Sequence, residues 1–334
     1  MEQAKSSRNH SRKSLLYLRL LGTAFALLLL GFSFMNLISP AKAISEKEKR
    51  VLKTFPAPRW DQILEGAYSR DFEEYASDQI LFRDFFTDLK VFSDTLLGKS
   101  ESQGVYRGKD GFLLEKMETP DPSVYGESLE TINAFGKQQE IPQFFVLVPN
   151  AVSVYADKLP LGAPSFDQST FAGLIRQGLD KEVGFLSLEE PLRAARSEGD
   201  LLFYRSDHHW TSLGAYRCAP SVLALLGKDW QEGLLSSDPY TVFLGGNEGF
   251  IRIETDKIGA GHLLVFKDSY FNCFLPFLLN AYESIDVVDP RYYSEELSTL
   301  LYQKEYDQIL YFYNCNTFSG DSSLSLVLGE TLRP

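Results

Sequence analysis

The sequence predicts a three-layer, doubly wound α/β domain with a mostly parallel sheet, preceded by one transmembrane helix and a helical stem. Three observations carry that prediction. After residue 104, short apolar runs recur without the in–out alternation of a half-exposed strand, as expected of strands covered on both faces. Polar, helix-like stretches separate several of these runs, the alternation that builds parallel sheets. A charge-free apolar run over 20–38 precedes everything else. The boundaries that follow are a basic tail over 1–19, a membrane anchor over 20–38, a stem over 39–100 and the α/β domain over 101–334.

The tail holds Lys5, Arg8, Arg12, Lys13 and Arg19 against Glu2 alone, a net charge of +4. Since the chain as a whole carries −12, the part beyond the tail carries −16. An acidic body of this kind excludes nucleic acid as a partner, because phosphate contacts require a basic face. With 44% apolar residues in 334, the chain is neither disordered nor of low complexity. Cys218, Cys273 and Cys315 are too few and too far apart for a disulfide framework or a zinc cluster.

The run over 20–38 approaches the roughly 20 residues that span a bilayer as a helix. Basic residues ahead of it place the N-terminus in the cytoplasm and the body outside, at the cell surface. Ala41-Lys42-Ala43 offers an A-x-A-like cleavage site, so a cleaved signal peptide is the alternative to an uncleaved anchor. The run is longer than the roughly 7–15 residues of an ordinary signal core, which favours the anchor. Either way the body is exported.

In the stem, Ser45 and Glu48 read as an N-cap and its capping-box partner. Phe55-Pro56-Ala57-Pro58 then breaks the helix. Between 60 and 97, Tyr75, Ile80, Phe82, Phe85, Phe86, Leu89 and Phe92 recur at helical spacing and read as a core-facing stripe without chemistry. Next, Gly108-Lys109-Asp110-Gly111 signals a hairpin, since Asp-Gly tolerates positive φ. Strands follow at 144–148, 183–188, 201–204, 262–266, 285–288 and 309–313, with helices at 166–178 and 211–226.

Sites in parallel α/β sheets form beyond the carboxyl ends of strands, and two such ends stand out. After 201–204 comes Arg205-Ser206-Asp207-His208-His209-Trp210. An imidazole with a carboxylate on one nitrogen can act as a base through the other, and a turn can bring Asp207 and His209 together. After 262–266 comes Lys267-Asp268-Ser269 and an apolar, helix-like stretch over 271–282. Ser269 at that turn would have backbone N–H groups and a helix dipole beside it, which stabilise an oxyanion. Asp268 reads as a cap, and Pro276 predicts a kink or a late helix start. Plainer readings stand beside these: an N-cap serine, structural histidines packed on Trp210, or a metal site drawing on Asp207, His208, His209 and His262. Adjacent histidines in a strand point opposite ways, which disfavours shared ligation. Cys273 reads as core.

Tyr204-Arg205-Ser206-Asp207-His208-His209-Trp210-Thr211 with Gly214-Ala215-Tyr216 resembles the signature of the bacterial DHHW protein family. That family is similar to the SGNH-like O-acetyltransferases of exopolysaccharides, including alginate, in which a D-x-H-W segment precedes a G-D-S segment. Ser45-Glu46-Lys47-Glu48-Lys49-Arg50, Val148-Pro149-Asn150, Leu159-Pro160 and Val288-Asp289-Pro290-Arg291-Tyr292-Tyr293 extend the likeness. The resemblance implies an SGNH-hydrolase-like fold and a catalytic triad of Ser269, His209 and Asp207. Asn150, Arg291 and His208 are candidates for oxyanion or substrate binding. Lys267 departs from the glycine of G-D-S.

The expected function is an extracytoplasmic serine esterase or O-acyltransferase acting on a cell-envelope glycan, needing no metal or organic cofactor. The resemblance implies an integral membrane acyltransferase as acyl supplier. The alternatives are a non-catalytic glycan-binding or envelope-assembly protein with a degenerate site, and a metal-dependent hydrolase.

Overall fold

The computed structural model describes residues 2–45, 50–58, 60, 63, 67–230 and 248–332. These fall into two units, Met1–Leu97 and Gly98–Pro334.

In the first unit, helix α1 spans Glu2–Ile38. Its stretch Tyr17–Ile38 is 22 residues long, with a mean hydropathy of 2.0 and none of its length buried. It is long and apolar enough to cross a membrane. Strands β1 (Ile44–Ser45) and β2 (Arg50–Val51) pair antiparallel. Ser45 therefore lies in a strand rather than capping a helix: its backbone faces Arg50, and the Leu52 N–H closes the ladder onto the Ala43 carbonyl. Glu48 lies outside the described residues. Residues 52–58 are irregular, as Pro56 and Pro58 dictate. Helices α2 (Ala67–Gln79) and α3 (Arg83–Leu96) realise the helical spacing, joined through Phe82 in the left-handed region at φ 59°. The stripe they carry is not core-facing, however. Phe85, Phe92 and Leu96 are 61%, 63% and 78% exposed.

The second unit opens with a three-stranded antiparallel sheet, β3 (Glu101–Ser102), β4 (Val105–Arg107) and β5 (Leu113–Glu115). The β4–β5 connection is the expected hairpin, with Asp110 and Gly111 at φ 58° and 78°. Helix α4 (Pro122–Gln139) leads into β6 (Gln143–Val148), followed by α5 (Ala151–Val154) and α6 (Gln168–Gly178). Then come β7 (Gly184–Ser187), α7 (Glu189–Ser197) and α8 (Ser212–Leu225). Strands β8 (Phe250–Glu254), β9 (His262–Lys267) and β10 (Ser284–Val288) follow. Helix α9 (Leu297–Gln303), strand β11 (Gln308–Asn314) and helices α10 (Cys315–Gly320) and α11 (Ser323–Thr331) complete the unit.

The main sheet has six strands in the order β7-β6-β11-β9-β10-β8. The first five run parallel, and β8 pairs antiparallel with β10 at the edge. Alternate residues of one strand enter different cores. Val146 and Val148 of β6 join α7, α8 and the segment after β9, whereas Phe145 and Leu147 join α4, α6, α9, α10 and α11. The sheet is thus the middle of three layers, as the continuous apolar runs implied.

Two differences from the sequence reading matter. The antiparallel strand β8 was not expected; its sequence, Phe-Ile-Arg-Ile-Glu, is the alternating pattern of an edge. The run 201–204 is not a sheet strand: only Phe203 pairs, in one bridge with Trp210. Its backbone bonds to its own loop and to a side chain instead of a sheet: Thr211 N donates to Leu202 O, Tyr204 N to His209 O, and Leu202 N to Tyr155 Oη at 3.0 Å. Leu202 and Phe203 are wholly buried all the same. Burial made the run look like a strand without pairing making it one.

Candidate active site

The loop 204–210 closes back on itself through the Phe203–Trp210 bridge. Thr211 then caps α8, its hydroxyl accepting from Gly214 N (3.1 Å) and donating to Leu201 O (2.9 Å). A Cβ on Gly214 would stand 2.5 Å from the Leu202 carbonyl. Glycine therefore lets the helix approach this loop. The Trp-Thr-x-x-Gly part of the motif is architecture that presents the residues before it.

Across from this loop, β9 ends at Lys267 and the chain turns through Asp268 into a single 3₁₀ turn, Ser269–Phe271. Asp268, fully buried, caps the turn through Tyr270 N (2.9 Å) and ties it to β11 through Asn314 N (2.7 Å). Burial pushes the Asp268 carboxyl above its ordinary range, against the pull of Arg291 and these N–H groups. The expected α-helix over 271–282 is absent; a second 3₁₀ turn, Leu275–Leu278, carries Pro276 near its start. One turn has no appreciable macrodipole, and the Tyr270 N–H already serves Asp268. The helix-start donors expected around Ser269 are thus corrected to a capped turn.

The structure brings the three triad candidates together. His209 Nε2 lies 2.9 Å from Ser269 Oγ, and His209 Nδ1 lies 2.5 Å from Asp207 Oδ1. The same Oδ1 accepts from the His209 backbone N–H at 2.8 Å. Asp207 and His209 face each other because residues 205–209 form bends rather than a strand. The hydrogen bond from His209 holds the Asp207 carboxyl well below the usual carboxylate range. His209 has 12% of its side chain exposed and Asp207 51%, so the relay sits at the surface with its imidazole sheltered.

A clasp holds the two segments. Trp210 Nε1 donates to the Tyr270 carbonyl at 2.9 Å, and the Tyr270 hydroxyl donates to the His208 carbonyl. Trp210 is fully buried, stacked on Phe274 with ring centroids 6.1 Å apart.

The other candidates take different places. His208 leans on His209, ring centroids 3.9 Å apart, rather than pointing the opposite way as a strand would require. Although half of its side chain meets solvent, desolvation by its neighbours and the nearby His209 push its pKa down to about 4. Asn150 is buried beyond β6, its amide turned to Tyr270 Oη (3.5 Å) and Gln168 Nε2 (3.2 Å). Arg291, beyond β10, grips Asp289 through Nε (2.9 Å) and Nη2 (2.7 Å). Burial pushes Asp289 up, but Arg291 and Lys267 hold it below its ordinary range.

Asp207, His208 and His209 offer ligand atoms within 4.8 Å of one another. His262 stands apart, at the start of β9, with Nδ1 on Ser284 Oγ (2.8 Å). The metal reading that used it loses that ligand. Cys273 is buried core, its thiol pushed up to about 12 by burial.

Sequence reasoning missed Tyr270, although it adjoins Ser269, and Glu115 of β5. Leu113 N of that strand donates to Arg205 O (2.7 Å), and Asn316 Nδ2 donates to Lys116 O (3.4 Å), which holds Glu115 beside the relay. Burial raises the Glu115 carboxyl, with opposing contributions from Asn316 and His209. No local signal marks it, because its neighbours come from other elements.

A parallel sheet of this order, with a serine beyond one strand and a D-x-H loop beside it, defines an SGNH-like α/β domain. Residues 105–242 match the family described as "SGNH hydrolase-like domain, acetyltransferase AlgX". The match covers less than half of the chain and includes the Asp-His-His-Trp segment, so the resemblance drawn from that segment holds. Among characterised relatives, the chain is similar to a probable alginate O-acetylase, AlgJ, of Pseudomonas aeruginosa, 26% identical over 233 residues. The match covers 66% of this chain and 56% of that protein, so the chain spans little more than half of the relative's length. Among solved structures, a DHHW family protein from Eubacterium siraeum shares the fold with a TM-score of 0.58 at 18% identity, covering 68% of this chain and 95% of that one. Bacillus cereus PatB1, solved with a sulfonyl adduct, gives 0.54 at 17% identity, covering 66% and 98%.

Proposed function

We propose that this chain is an extracytoplasmic, membrane-anchored O-acetyltransferase of the SGNH-like type that modifies a cell-envelope polysaccharide through Ser269, His209 and Asp207. One observation carries the reading: a single imidazole touches both the Ser269 hydroxyl and the Asp207 carboxylate. His209 Nε2 accepts the Ser269 proton while Oγ bonds to the acyl carbon of a donor. The donor's leaving group departs with that proton. A sugar hydroxyl then attacks the acyl-serine, passing its proton to His209, which returns it to Ser269 Oγ. Water in place of the sugar gives hydrolysis. Asp207 fixes the tautomer and supports the imidazolium. The domain family and the alginate relative support acetyl transfer to a polysaccharide. The apolar helix Tyr17–Ile38 supports an anchor, with the basic tail cytoplasmic and the body outside. An integral membrane acyltransferase is the proposed acyl supplier.

The test is acetyl release from p-nitrophenyl acetate together with labelling by a sulfonyl fluoride. Ser269→Ala should abolish both. Full activity of Ser269→Ala rejects the mechanism, and glycan retention by a native chain that never reacts with the probe supports a non-catalytic binding protein instead.

A further inference from the structure

We propose that helix α3, Arg83–Leu96, lies in the headgroup region of the membrane leaflet at the C-terminal end of the span, its apolar face sunk into the acyl chains. The inference rests on the reading of Tyr17–Ile38 as a membrane anchor and adds a second, lateral attachment to it.

Phe82, Phe85 or Phe86, Leu89, Phe92 and Leu96 recur at intervals of three or four residues, with Phe85 and Phe86 side by side. At about 100° per residue they occupy an arc of roughly 120°, the width of one apolar face. All six are exposed: Phe82 and Phe85 at 61%, Phe86 at 45%, Leu89 at 46%, Phe92 at 63% and Leu96 at 78%. Arg83, Asp84, Lys90 and Asp94 line the rest of the helix, with Lys90 and Asp94 paired at 3.5 Å.

What identifies the occupant is where this face begins. The Phe86 ring meets Phe32 of the span edge-on, centroids 6.3 Å apart, and Leu81 N donates to Asn36 Oδ1 at 2.7 Å. Phe32 is six residues before the end of the span, roughly 9 Å along the helix at 1.5 Å per residue. Interfacial helices bury their apolar faces to about 5–10 Å. The two depths agree. Because no residue of the span is fully buried and only Phe32 and Asn36, where it meets this hairpin, are half-covered, the α3 face continues a lipid-facing surface. The helix carries two basic against three acidic residues, so its attachment depends on apolar insertion and not on anionic lipid.

The experiment uses the full chain in phosphatidylcholine vesicles, spin-labelled at one introduced cysteine at a time: Phe85→Cys, Phe92→Cys, Asp84→Cys or Leu27→Cys. The native Cys218, Cys273 and Cys315 are buried. Collision with oxygen, which partitions into lipid, is compared with collision with a water-soluble nickel chelate. Oxygen should dominate at 85, 92 and 27, and nickel at 84. Nickel dominating at 85 and 92 while oxygen dominates at 27 overturns the proposal and leaves the anchor standing. Exclusion of both relaxants at 85 and 92 overturns it in favour of a protein contact, such as a second copy. Nickel dominating at 27 as well rejects the anchor itself, and the proposal with it.

Discussion

Replacing Asp207 by asparagine separates two ways in which a carboxylate can serve the relay. Asp207 uses one oxygen, Oδ1, for both the His209 backbone N–H (2.8 Å) and Nδ1 (2.5 Å). An asparagine that keeps its carbonyl oxygen there preserves both bonds and turns its amide to the position of Oδ2. The proton then stays on Nδ1, and Nε2 remains free to accept from Ser269. Only the charge facing the imidazolium is lost. Two unit charges about 4 Å apart interact by about 1 kcal/mol in water and about 4 kcal/mol at an effective dielectric of 20. Since 51% of the Asp207 side chain is exposed, the relevant value lies between these limits. At about 1.36 kcal/mol per decade of rate, kcat/KM should fall by roughly 5- to 10³-fold. Had the amide nitrogen faced Nδ1, the proton would move to Nε2 and the loss would approach ~10⁴, the size seen for the wrong tautomer in a serine protease. Steady-state hydrolysis of p-nitrophenyl acetate by the native, Asn and Ala forms is the assay. Undiminished activity of Asp207→Asn refutes the role of the carboxylate. A loss near ~10⁴ refutes the argument that one oxygen serves both donors.

Other consequences follow from the same geometry. Lys267→Met leaves the buried Asp289 its two bonds from Arg291 and should cost about 1–3 kcal/mol. Asp289→Asn strands a buried ammonium and should cost about 3–5 kcal/mol, and urea midpoints of the two variants should differ in that order. His208 has a pKa near 4, below its ordinary 6.5, so the unfolded chain takes up its proton first as pH falls. It is neutral on both sides of unfolding above about pH 6.5 and weakens the fold progressively between there and pH 4. Melting curves of His208→Gln should accordingly decline less than the native curves over that window. Trp210→Phe keeps a ring on Phe274 but removes the indole N–H from the Tyr270 carbonyl, which retains the weak Cys273 thiol donor, and should cost about 0.5–1.5 kcal/mol in thermal unfolding.

The parallel core of the fold was legible because its strands are apolar on both sides; β6, β9, β10 and β11 fall where the runs lie. What pattern alone could not supply was pairing. Leu202 and Phe203 are as buried as strand residues yet bond to their own loop and to the Tyr155 hydroxyl, and β8 is too amphipathic to resemble its neighbours. The meeting of Ser269 with His209 was legible from chemistry and from the DHHW resemblance, not from spacing, since 60 residues separate them. The clasp through Trp210 and Tyr270 and the approach of Glu115 depend on backbone atoms and on elements distant in the chain, which leave no periodic trace. The stem shows the opposite failure. Helical spacing identified the stripe correctly, but periodicity cannot say whether an apolar face meets protein or lipid.

Lys267 was the strongest sequence argument against a working site, because a glycine at that position suggests a turn that a side chain would spoil. The backbone removes the argument. Left-handed φ values at non-glycine residues are confined, among the described residues, to Phe82, Gln103, Asp110 and Glu140. Lys267 is the last residue of β9 and needs no such conformation. The turn is fixed one residue later, by the Asp268 carboxylate bonded to Tyr270 N and Asn314 N. The lysine side chain is 1% exposed and ends on Asp289, 2.9 Å away. A buried charge is tolerated only when its partner is equally fixed, and Arg291 fixes that partner from its other side. The substitution therefore exchanges backbone freedom for a buried ion network behind the serine, and its effect should appear in stability before it appears in rate.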